Sequence, residues 1–158
     1  MAEDRSPDTQ SNLLRDTQRR REALRMAMTE LERAIAAPVP GRTKDWSATV
    51  SRALDTMSDA LDEHVAANEC ADGLFDQVIE SQPRLTHIVT RLRTDHVDMA
   101  DAVDSMQEKL ASAKTDDEAT AEAVREAAVA LVAQLVRHRH AGADLLYAAY
   151  SVDISAAD

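Results

Sequence analysis

A chain of 158 residues is sized for one domain with a buried core and leaves little room for a second. Asp and Glu number 29 against 18 Lys and Arg, a net charge of -11, which excludes a surface made to grip phosphate backbones and removes nucleic acid as a partner. Aromatics make up 3%, with three glycines and four prolines, and alternating β-branched runs are missing; turn-rich sandwiches and barrels are thereby excluded and an all-α fold is predicted.

No run reaches the roughly 18 apolar residues of a membrane span, and the opening MAEDRSPDTQ lacks the apolar stretch of a secretion signal, so a cytoplasmic protein without membrane contact is predicted. The lone Cys70 supports neither an internal disulfide nor a thiolate metal set and reads as a small buried or half-buried residue.

Residues 1–11 are polar and aperiodic and are predicted to form a disordered tail. A first helix is predicted over 12–37, where Leu14, Thr17, Arg21, Leu24, Met28, Leu31 and Ile35 recur every three or four residues until Pro38, Pro40 and Gly41 stop it. A second helix starts near Asp45 or Trp46 and carries Val50, Leu54, Met57, Leu61, His64 and Asn68 on one stripe before Gly73 breaks it. A short piece, Leu74 to Ser81, leads to Pro83. The third long helix has the cleanest heptad of the chain, Leu85, Val89, Leu92, His96, Met99, Val103, Met106 and Leu110. After the polar connector SAKTDDE a last helix is predicted over 117–151, with Val124, Ala128, Leu131, Leu135, His138, Gly142, Leu145 and Ala149 inward. Residues 152–158 read as a C-terminal tail. Four long amphipathic helices with short connectors make an up-down-up-down four-helix bundle over 12–151 the economical architecture.

Charge divides unevenly over this plan. Residues 1–44 hold 9 basic and 7 acidic groups, whereas residues 45–158 hold 9 and 22, which predicts electrostatic attraction of the first helix to the other three. Arg19, Arg20 and Arg21 read as a solvated or salt-bridged helix face.

Three of the five histidines, His64, His96 and His138, fall on the inward stripes of three different helices at similar heights. Buried imidazoles need partners for both nitrogens. They are either core residues bonded to carbonyls or a converging set of the kind that holds a transition metal inside a bundle. Carboxylates lie close in sequence: Glu69 near His64, and Asp144 four residues after His140 on one helix face. Tyr147 continues that face as an outer hydrogen-bond donor or an ordinary packing residue. His87 points to the other side of its helix from His96 and reads as surface.

The segments LDEHVAANECADGLFDQV, PRLTHIVTRLRTDHVDM and LVAQLVRHRHAGADLLYAAY resemble the hemerythrin-like, or HHE cation-binding, domain family over roughly residues 54–150. The resemblance implies a hemerythrin-like four-helix bundle and a non-haem di-iron centre held by histidines and bridging carboxylates, in a family that handles oxygen, nitric oxide or peroxide, stores iron or senses redox state. The chain departs from the family pattern at Asn68, four residues after His64, and at Gly142, four after His138. The third long helix has one histidine at this level, and the first helix has none. Two functional readings follow. In the first, His64, Glu69, His96, His138, His140 and Asp144 supply the ligands of an iron or zinc site that takes a small diatomic or peroxide ligand, with Asn68 and Tyr147 in the surrounding hydrogen-bond shell. In the second, Arg21 and the carboxylates replace the metal, and the bundle serves as a metal-free interaction or regulatory module for a protein partner. No nucleophile elbow or phosphate loop points to an enzyme of organic chemistry.

Overall fold

The computed structural model describes the backbone over residues 7–151 and side chains over 15–151; residues 1–6 of the tail expected over 1–11, the expected tail at 152–158 and the side chain of Leu14 lie outside the described residues. The chain forms α1 (Pro7–Ala36), α2 (Thr43–Glu69), α3 (Leu74–Ser81), a single 3-10 turn at Pro83–Leu85, α4 (Thr86–Ser112) and α5 (Glu118–Tyr150). The four long helices make the bundle: α1 packs on α2, α2 on α4, α4 on α5 and α5 on α1, while short α3 lies against α2 and α4. Apolar periodicity placed the first helix start at residue 12, whereas α1 begins at Pro7. A proline suits the first turn because its missing N–H has no helical acceptor there anyway, and a polar first turn leaves no apolar signal to read.

The connectors explain where the helices stop. Between α1 and α2 the backbone turns at Gly41 with φ 71°, a left-handed conformation that glycine adopts without steric cost. Between α2 and α3, a Cβ on Gly73 would stand 2.7 Å from the Cys70 carbonyl oxygen, so only glycine lets the chain close this tight turn and start α3. At α5, the Asp117 carboxylate accepts hydrogen bonds from Thr120 N at 2.9 Å and Thr120 Oγ1 at 2.7 Å, capping otherwise unpaired donors of the first turn.

The interior divides into two apolar groups. The larger runs from Val39 and Trp46 at one end through Leu31, Val50, Leu54, Met57, Met99, Val103, Leu131 and Leu135. The smaller gathers Phe75, Val78, Leu85, Val89, Leu92, Leu145 and Ala149 at the other end. Polar side chains part them, in the layer that holds His64, His96 and His138. Among the described residues the ion pairs of α1 are internal, Arg19 with Asp16 and Arg25 with Glu22. The attraction expected between α1 and the acidic helices therefore appears in no ion pair there, and apolar packing of Leu24, Ala27, Leu31, Ala34 and Ile35 holds α1 in place.

Candidate metal centre

Each of the three histidines extends a core stripe by one step. His64 follows Leu61 on α2, His96 lies between Leu92 and Met99 on α4, and His138 lies between Leu135 and Leu145 on α5. His96 and His138 are buried and His64 is partly so. Their rings turn the same nitrogen inward: Nε2 of His138 stands 3.2 Å from Nε2 of His64 and 3.1 Å from Nε2 of His96, and one ligand atom of each of the three lies within 4.8 Å of the others.

The outward nitrogens decide the protonation pattern. Nδ1 of His96 stands 2.5 Å from Glu69 Oε1, and Nδ1 of His138 stands 3.2 Å from Asp95 Oδ2. A carboxylate oxygen only accepts, so Nδ1 of each ring carries the proton and donates it, which leaves the inward Nε2 as a lone pair. Two buried acceptors thus face each other at 3.1 Å. His64 can donate one N–H toward this point, enough for one of them; the other is left without a proton, at a cost of about 1–3 kcal/mol. Protonating a ring is disfavoured as well: burial first, then the charges of His96, His138 and Arg21, hold His64 down to about 3, and burial pushes His138 below its ordinary value against the pull of Asp95. A cation is the group that satisfies converging lone pairs. Imidazole nitrogens about 2.0–2.1 Å from one ion stand about 2.8–3.0 Å apart at right-angled coordination and about 3.3–3.4 Å apart at tetrahedral coordination, and the two separations seen here fall between those values.

The surroundings hold the rings. Phe75, delivered by the Gly73 turn, stacks on His96 with centroids 5.6 Å apart and planes 12° from parallel. Arg93 lies over the Phe75 ring at 5.8 Å and pairs with Asp76 at 3.2 Å. The Asn68 amide bonds the His64 carbonyl at 2.7 Å and reaches His64 Nε2 at 3.3 Å.

The structure brings only part of the sequence-predicted set to this point. His64, His96 and His138 converge, and Asn68 touches His64. Glu69 reaches the cluster through the far nitrogen of His96, as an outer carboxylate rather than one of the converging atoms. His140 and Asp144 are exposed and do not take part: two residues of helix turn the chain by about 200°, so His140 opposes His138, and Asp144 follows it on the outer face. Tyr147 is exposed on that face too. Arg21 is exposed and does not fill the space between the rings; it acts on His64 by charge alone. His87 is exposed, as expected, and Cys70 is exposed at the end of α2 rather than half-buried. Asp95, a carboxylate beside His96 in the sequence but not in the expected ligand set, and Phe75, which the sequence did not suggest, are the further contributors. The signal for Asp95 was its place one residue before a seam histidine, about 100° around the helix, which aims it at the neighbouring α5. Phe75 left no comparable signal, since its position depends on the turn before it.

Comparison with curated proteins and with solved structures finds no match to the chain. Residues 13–150 match the family model described as the hemerythrin HHE cation binding domain, which spans all four helices of the bundle and every residue of the imidazole cluster. With that match over most of its length, the chain belongs to the hemerythrin HHE cation-binding domain family.

Proposed function

We propose that this protein binds one non-haem transition-metal ion, iron or zinc, through His64, His96 and His138, and presents it to a small ligand such as oxygen, nitric oxide or peroxide for binding or redox handling. The observation that supports this most directly is the pair of carboxylate-anchored rings, His96 and His138, whose Nε2 lone pairs face each other at 3.1 Å. Imidazole suits both metals. Three imidazoles without a carboxylate among the converging atoms fit a single ion better than a bridged pair. Bound there, the ion supplies Lewis acidity and, as iron, one-electron chemistry at the positions three ligands leave open. The chain's own residues do the rest. Glu69 and Asp95 fix the tautomer and orientation of the two rings. Phe75 and the two apolar groups keep water from those rings. Among the described residues α1 adds no atom to the converging set.

A second reading, a metal-free bundle acting as an interaction or regulatory module, has one observation in its favour. The Asn68 amide, 3.3 Å from His64 Nε2, can donate a hydrogen bond where a metal would otherwise bind. Elemental analysis of untagged protein from iron- and zinc-supplemented cultures separates the two. The metal-site reading expects close to one ion per chain, lost in His96→Ala and in His138→Ala and kept in His140→Ala. Wild-type protein that comes folded but metal-free from those supplemented cultures, and takes up neither iron nor zinc when they are added, overturns it in favour of the second.

A further inference from the structure

The outer face of α5 carries a second seven-residue pattern that the bundle does not use. From Val129 to Tyr150, positions 129, 133, 136, 140, 143, 147 and 150 alternate in spacing between four and three, the period with which one helix packs along another. These residues lie opposite Leu131, Leu135 and His138, which point into the core. Val129 is 56% exposed, Val136 37%, Tyr147 75% and Tyr150 53%. Exposed apolar residues scattered singly are ordinary on a surface, whereas a continuous row marks a contact.

Charge separates this face from the rest of the molecule. In a chain of net charge -11, α5 has no acidic residue between Glu126 and Asp144, and it carries Arg137 and Arg139 there. Two copies can meet here without acid opposing acid. Across the groove, the bond from Arg125 Nη2 to the Ala37 carbonyl and the reach of the Arg139 charge to Glu22 run α1 antiparallel to α5. Met26, 60% exposed, thereby stands level with Val136 and widens the apolar strip.

We propose that α5 is the contact surface of a symmetric homodimer, packed antiparallel against α5 of a second copy about a two-fold axis at His140. In this register Val136 meets the partner's Ala143, Ala133 meets the partner's Tyr147, and Val129 meets the partner's Tyr150, each contact made twice by symmetry. Arg137 and Asp144 lie one heptad apart on the same flank of the seam. About this axis Arg137 faces the partner's Asp144, also twice. An axis at Val136 sets Arg137 against its own copy and brings no carboxylate opposite it, whereas the axis at His140 sets Arg139 against its own copy once and pairs Arg137 with Asp144 twice; a parallel pairing brings the arginines of both chains to one level with no such pairs. The charge pairs select orientation and register, and the apolar row supplies the affinity.

Sedimentation velocity of the full chain, with and without metal, tests the proposal over micromolar to sub-millimolar concentration. The expected species is a dimer of the 17.3 kDa chain. Val136→Asp, at an exposed position and therefore harmless to the fold, raises the dissociation constant roughly tenfold or more, with the far-ultraviolet circular dichroism unchanged. Arg137→Asp weakens the dimer and the double variant Arg137→Asp/Asp144→Arg restores it. Wild-type protein that stays monomeric throughout, or a dimer indifferent to Val136→Asp, overturns the surface. A double charge reversal that fails to restore what the single one removed overturns the antiparallel register. His64, His96 and His138 lie off this face, so loss of metal binding and loss of the dimer are read independently.

Discussion

Acid is expected to loosen the metal-free bundle before its carboxylates titrate. His64 is held from 6.5 down to about 3, chiefly by burial and then by the charges of His96, His138 and Arg21, and His138 is pushed down by burial as well. Unfolding returns both rings to water and to an ordinary value near 6.5. Between pH 6.5 and about 3 the unfolded chain therefore binds protons that the folded chain refuses. Stability is whole above pH 6.5 and declines as the pH falls through that window. Each pH unit below 6.5 removes about 1.4 kcal/mol per excluded proton, so His64 alone costs about 2 kcal/mol at pH 5. That is a large share of the roughly 5–15 kcal/mol by which domains are stable. Urea unfolding of metal-free protein at about pH 7.5, 6 and 5, followed by circular dichroism, measures it directly. A His64→Leu variant removes the excluded proton and flattens the profile by the same amount. Equal stability of the wild type at pH 7.5 and 5, or a His64→Leu variant that keeps the full slope, would refute the reasoning.

Other outcomes follow from single contacts. Asp95→Asn keeps the fold but weakens metal binding about 10- to 100-fold in a chelator competition, because His138 loses the partner that sets its tautomer; Asp144→Asn, on the outer face, leaves the affinity unchanged. Asp117→Ala removes the two hydrogen bonds at the start of α5 and lowers the unfolding free energy by about 1 kcal/mol. Leu131→Ala opens space in the larger apolar group and costs about 2–5 kcal/mol in the same urea measurement, with the spread set by how far Val124 and Leu135 relax.

Some features needed only local physics. Scarce glycine, scarce aromatics and apolar residues every three or four positions leave a bundle of helices as the way to bury Leu24, Leu54, Met99 and Leu131 together; the apolar members of the stripes are the ones found buried or half-buried among the described residues, while the polar Thr17 and Arg21 read onto the first stripe are exposed. His64, His96 and His138 belong to those stripes, so their convergence was legible too: a residue on a seam goes where the seam goes. The polar partners were not. Glu69 and Asp95 lie off the stripes, and whether such a carboxylate becomes an inward ligand, a support behind an imidazole or a surface charge depends on which neighbouring helix stands across from it and at what height. Sequence proximity favoured His140 and Asp144 as a pair, yet the rotation set by His138 turns both to the outside. Periodicity along one chain determined which residues are buried; the packing of α2, α4 and α5 against one another decided which buried nitrogens face a carboxylate, because that relation joins helices tens of residues apart.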